Sequence, residues 1–159
     1  MIVPIYCFAV VLASILTFSR RINRAPKTRL ILKILLMAFI VFVVSANRNG
    51  SDIINYYVSY NSNSSLSREF IYNLLERAGK LLGLNFYQFR ALASLAGYVL
   101  IEKTFSLYCK QSGFIWLFYC FHLIFMDSMQ LKNFLAASIF IYSTRYLFDL
   151  KKKANVFKF

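Results

Sequence analysis

From Ile2 to Phe18 the chain carries no charged side chain, and after a short basic connector, SRRINRAPKTR, the run from Leu30 to Ala46 is interrupted only by Lys33. Two such runs so close together leave few folds open. A helix needs about 20 apolar residues to cross the hydrocarbon of a bilayer, and Lys33 lies near enough to the end of its run to snorkel to the interface. A soluble chain of 159 residues has too little interior for both runs together with 17 Phe and 11 Tyr. Hydrophobic residues make up 59% of the chain, against about 45–50% in soluble domains. Only two Pro and five Gly interrupt them, which favours long helices over sheet and turn. The pattern predicts an all-α, polytopic integral membrane helix bundle, one membrane domain over residues 1–159.

Five spans are predicted, at about 2–18, 30–46, 89–108, 113–127 and 131–148. The first is read as a retained helix, because a signal peptide carries its positive residues ahead of the apolar stretch and here Arg20 and Arg21 follow it. An outer loop, 47–88, holds a predicted amphipathic helix at about 67–82. Phe70, Ile71, Leu74, Leu75, Ala78, Leu81 and Leu82 share one face of it, with Leu66 just ahead; Arg68, Glu69, Asn73, Glu76, Arg77 and Lys80 share the other. Ser67 is placed as its N-cap and Gly83 as its stop. Too polar to span, it is expected to lie along the membrane interface or to pack over the bundle.

The formal charge of +13 raises nucleic acid as a partner. The basic residues gather at the ends of apolar runs, as membrane flanks do, which argues against it. With the N-terminus outside, 13 of the 19 Lys and Arg residues fall on the cytoplasmic side, as does the C-terminus, and the rule that positive loops stay inside selects this orientation. Cys7, Cys109 and Cys120 have no metal-ligand or CxxC spacing and are read as small apolar fillers. His122 is the only histidine. A hydrogen-bonded neutral imidazole is the simpler reading of it, and function the sharper one. Glu102 beside Lys103 is read as marking the cytoplasmic interface rather than a proton relay.

Two polar segments share the outer face: the island NRNGSDIINYYVSYN with the rest of loop 47–88, and the tight connection DSMQLKN. Together they offer Arg48, Asp52, Tyr56, Arg68, Asp127, Gln130 and Lys132. Cations above hydrocarbon suit an amphiphile with an anionic head, since arginine grips phosphate bidentately and lysine offers a point charge. A carboxylate there can serve as general base towards a hydroxyl. Solvated loop-end charge is the bland alternative for each residue taken singly. Tyr56, Tyr57, Tyr60, Phe86, Tyr87 and Phe89 are read first as an interfacial aromatic belt and second as sugar-stacking platforms.

Three motifs in order resemble the EpsG family, a Wzy-like group of exopolysaccharide and capsule polymerases. RNGSDIINYYVSYN is similar to its glycine-x-aspartate-x-x-x-tyrosine element, through Gly50, Asp52 and Tyr56. REFIYNLLERAGKLLGLNFYQF resembles its Glu-aromatic helix and Gly-x-Asn-Phe step, through Glu69, Gly83, Asn85 and Phe86. MDSMQLKNFLAASIFIYS is similar to its Arg/Gln-rich lead-in to a small-residue helix, through Gln130, Lys132 and Asn133, with Lys132 where the family usually has arginine. The resemblance implies a membrane glycosyltransferase at the outer face of the bacterial cytoplasmic membrane. Such an enzyme joins undecaprenyl-pyrophosphate-linked repeat units, with no metal or other cofactor, among membrane lipids and other polysaccharide-assembly proteins. Under it Asp52 is the catalytic residue, and Arg48, Tyr56, Arg68, Glu69, Gln130 and Lys132 bind substrate. Family members run longer, so the chain is read as equivalent to their N-terminal part: a truncated copy, a split subunit or an inactive remnant. The alternative from another class is a non-enzymatic small membrane protein, either a scaffold or accessory subunit or a fragment of a transporter.

Overall fold

The structure, a computed structural model, describes the backbone of residues 2–19, 22, 25–48, 51–62, 70–109, 113–120 and 130–156, with side chains over the same stretches except 2–6, 51 and 147–156. Among the described residues every regular element is a helix: α1 (Ile2–Phe18), α2 (Pro26–Ala46), α3 (Ser51–Asn61), α4 (Phe70–Leu81), α5 (Phe86–Tyr108), α6 (residues 113–120) and α7 (Leu131–Val156). The expected all-α class stands. Among the described residues, α2 alone is long and apolar enough to cross a bilayer by itself. Its 21 residues at about 1.5 Å each give about 31 Å, the thickness of the hydrocarbon layer. It starts at Pro26 rather than Leu30, because proline in the first turn lacks only an N–H that would have had no helical partner.

The axis of the bundle is α5. It runs antiparallel to α2, since Lys33 pairs with Glu102 at one end and Arg90 bonds Asn47 at the other. α6 returns along it, with Tyr98 meeting Tyr119 at 5.8 Å and Phe105 meeting Trp116 at 6.5 Å. α7 comes closest at Gly97, where an added Cβ would lie 2.5 Å from Phe134 Cε1 and 2.9 Å from Ser138 Oγ. Only a glycine admits that ring, and its neighbour Tyr98 packs tilted against Phe134 at 4.6 Å. Small residues set the axial spacing here, as in helix pairs packed within lipid.

Large apolar side chains such as Phe18, Ile31, Ile34, Phe118 and Phe140 face outward, while Arg90, Ser94, Thr104 and Ser138 are buried. The hydroxyls of Thr17, Ser45 and Ser138 bond carbonyls four residues back, at 2.7 Å each, which satisfies them without water. Near the far end of α5, Glu102 accepts hydrogen bonds from both Lys33 and the Trp116 indole. One carboxylate thereby ties α2, α5 and α6 together.

The outer loop departs from expectation in one element. Ser51–Asn61, predicted only as loop, is a helix. Over the described residues the amphipathic helix runs Phe70–Leu81 and turns part of its polar stripe to the protein: Phe70, Leu81 and Leu82 are 80%, 89% and 75% exposed, and Tyr72, Glu76 and Gly79 are buried. The helix packs through Tyr72, Glu76 and Gly79. Gly83 ends the helix as expected, with φ +69°, its N–H bonding Lys80 O and the Leu84 N–H bonding Gly79 O. Asn85 then caps α5, exchanging side-chain bonds with Gln88 at 2.9 Å each way. The Gly-x-Asn-Phe step is therefore a helix stop followed at once by a helix start. Gly50, Ser67, Arg68, Glu69, His122 and Asp127 lie outside the described residues.

Candidate functional site

At the Asn47 end of the bundle, three helical stripes converge. Asp52, Tyr56 and Tyr60 recur at four-residue spacing on α3, and Tyr72, Glu76 and Lys80 recur likewise on α4, so each set shares one face of its helix. Phe86, Phe89 and Arg90 begin α5. Gly79 allows the close approach: a Cβ there would sit 2.7 Å from Phe89 Cδ2 and 3.1 Å from Tyr60 Oη. Tyr60 stacks on Phe89 at 5.2 Å and donates its hydroxyl to Leu84 O at 2.8 Å. It is a pillar of the packing rather than part of a belt. Tyr72 meets Phe89 at 6.2 Å and Tyr56 at 5.8 Å.

Cations lie on the tyrosine faces. Lys132, in the first turn of α7, places its ammonium 5.1 Å from the Tyr56 ring centre and 4.8 Å from that of Tyr72. Lys80 lies 5.3 Å above Tyr60, and Arg48 lies 5.2 Å above Tyr87. A ring quadrupole holds such a cation with more than its apolar contact. Arg90, only 2% exposed, donates from Nη1 to Asn47 O at 2.6 Å and locks the end of α2 to the start of α5.

Glu76 is the group that sequence reasoning missed. It is 5% exposed, and its Oε1 and the Tyr72 hydroxyl oxygen make no hydrogen bond of normal geometry among the described residues. Burial holds its carboxyl above the usual range, while the ammoniums of Lys80 and Lys132 and the neighbouring Tyr72 hydroxyl pull the other way. Burial and the Glu76 carboxylate both push the Tyr72 phenol up, and they act on Tyr60 in the same sense. The signal in the sequence was the Tyr72–Glu76–Lys80 spacing with Gly79 beside it: a small residue in the polar stripe marks a face that packs.

Of the residues expected to form the site, Tyr56 and Lys132 meet directly. Asp52 sits half-buried in the first turn of α3, one turn from Tyr56, where a helix start favours an acid. Arg48 belongs to the same end of the bundle through Tyr87, which packs on Phe86 at 5.4 Å. Gln130 makes a local bond instead, accepting from Asn133 Nδ2 at 2.9 Å as α7 begins. From Lys132 a groove of about 740 Å³ runs between α4 and α7, lined by Tyr72, Phe70, Ile71 and Leu75 on one side and Leu135, Ile139 and Phe140 on the other. It reaches Ser143, about 16 Å along α7 at 1.5 Å per residue. A cation stands at its head, and its walls are hydrocarbon.

No curated protein and no solved structure matches the chain. The EpsG family model matches residues 30–159, which takes in α3 to α7, all of α2 but its first four residues, and every residue of the cluster. The chain belongs to the EpsG family.

Proposed function

We propose that this end of the bundle binds a lipid-linked glycan and that the chain, as an EpsG/Wzy-like polymerase or a part of one, joins repeat units into exopolysaccharide or capsule. The observation that carries the reading is Lys132, held over two tyrosine rings at the head of the apolar groove. A phosphate head on the ammonium and a polyprenyl tail along Leu135, Ile139 and Phe140 match that arrangement of charge and hydrocarbon. Membership of the EpsG family supports the polysaccharide theme. The apolar exterior and α2 support a membrane protein; its place as a multi-pass bundle in a bacterial cytoplasmic membrane, N-terminus outside and C-terminus cytoplasmic, follows from the family reading and the distribution of Lys and Arg. That orientation puts the cluster at the outer face.

In the proposed step the anomeric carbon of the donor glycan breaks its bond to a pyrophosphate oxygen and forms one to a hydroxyl oxygen of the acceptor unit. Asp52 takes the hydroxyl proton. Lys132, Arg48 and Arg68 offset the charge of the departing pyrophosphate. Tyr56, Glu69 and Gln130 hold the sugars. Asp52→Asn is expected to abolish long-chain surface glycan while leaving membrane insertion intact, read on a gel of surface polysaccharide; polymer of normal length in that variant would remove Asp52 from the role. An unchanged ladder after deletion of the gene would favour the non-enzymatic alternative.

A further inference from the structure

Glu76 has no part in that step, yet its setting is an expensive one. A carboxylate buried with a bare oxygen costs the native state free energy. An apolar side chain of similar volume would seat α4 on Phe89 and Tyr60 at least as well. The charges that act on it are those of Lys80 on its own helix and of Lys132 on α7, whose ammonium lies 4.8 Å from the ring centre of Tyr72, one helical turn from Glu76; the Tyr60 phenol is raised by it, and Tyr56 and Arg90 act on Tyr72. Among these cations only Lys132 also stands at the head of the groove.

We propose that Glu76 is a positioning residue for Lys132: its carboxylate is an internal counter-anion that keeps the ammonium over Tyr56 and Tyr72 until a phosphate-bearing amphiphile, seating in the α4–α7 groove, takes the ammonium over. The proposal rests on the reading of Lys132 as the headgroup cation. Once Lys132 turns to the phosphate, the buried carboxylate has less positive charge beside it and takes up a proton. Ligand binding and proton uptake are then linked, and each strengthens the other. Affinity for the anion rises as pH falls through the range in which Glu76 titrates, with Lys80 limiting the size of the effect.

The test titrates the full chain in detergent with dihexanoyl phosphatidylglycerol, an amphiphilic phosphodiester whose charge is constant between about pH 5 and pH 8, reading tyrosine fluorescence. Wild type is expected to bind about tenfold more tightly at the acid end, with net proton uptake reported by an indicator dye in weakly buffered solution. Glu76→Gln should bind at both pH values as tightly as wild type does in acid, and Lys132→Ala should lose binding at both. Glycerophosphoglycerol, the same headgroup without tails, separates the sources of the anion. Linkage with it assigns phosphate alone as the trigger, and linkage only with the lipid assigns the seated headgroup; either supports the coupling. Binding of equal strength at both pH values, without proton uptake, overturns the role of Glu76 and leaves the headgroup reading of Lys132 intact. Failure of both probes to bind overturns the two together. Weaker binding by Glu76→Gln would mark the residue as merely structural. The wild-type profile and its proton uptake need no variant, so a misfolded mutant does not spare the proposal.

Discussion

Glu102 and Glu76 lie near opposite ends of α5, each with lysine and aromatic neighbours, and the bundle treats them differently. Glu102 accepts from Lys33 on one oxygen and from the Trp116 indole on the other. Those bonds join three helices, which is the usual way an acid is made tolerable inside a protein. Glu76 sits deeper, with one oxygen unbonded among the described residues, and its cations are also drawn to tyrosine rings. A fully partnered carboxylate has nothing left to offer a ligand. One held in tension with a cation that faces a groove can respond when that cation is claimed.

The contrast is easiest to break at Glu102. Glu102→Ala leaves Lys33 and the Trp116 N–H without their acceptor, and should lower stability by about 3 kcal/mol, read as an early thermal transition in detergent. Next, Gly97→Ala tests the seam between the two ends. The new methyl must displace the Phe134 ring, and the expected loss is about 2 kcal/mol despite alanine's better helix propensity. Glu76→Gln should move in the opposite direction to Glu102→Ala. Because burial raises the carboxyl, the native state holds that proton more tightly than the unfolded chain, whose value is near 4.5. The stability this contributes is fully present below that value and is lost as pH rises through the folded-state value. The neutral amide should therefore melt later than wild type at neutral pH, by about 1 kcal/mol, with the advantage gone in acid. The smallest effect is expected for Tyr60→Phe, which removes the bond to Leu84 O for roughly 0.5–1 kcal/mol and loosens only the Glu76 end.

Much of this fold is legible in the order of the residues. Apolar runs foretell helices because hydrocarbon length and the scarcity of Pro and Gly permit little else. Gly83 is legible as a stop, since a left-handed residue after a helix is nearly always glycine. The Ser51–Asn61 helix is not, because Asn, Ser and Asp residues near a Gly-Ser pair read as turn, and it takes the rings of Tyr57 and Tyr60 packing on Phe86 to hold it. Periodicity sorts the two faces of α4 correctly, but it does not say what medium lies against each face. Glu76 is hidden by that gap. Arg90, which counts with the outer charges by position, is sealed over Asn47 because its partner is a backbone carbonyl, which leaves no trace in the residue pattern. Lys132 and Tyr56 can be found because charge and aromatic rings just above apolar runs are rare enough to stand out.

The outward-facing Phe70, Ile71, Leu81 and Leu82 carry one more implication. With the placement proposed above, the lid over Glu76 is fastened by the surrounding lipid and not by protein alone, so the bilayer completes the tertiary structure at this point. Acyl-chain thickness and detergent choice then become variables of the site itself: a solvent that solvates α4 poorly would lift it from Tyr60 and Phe89 and open the acid to water, while the long helices beneath stayed folded.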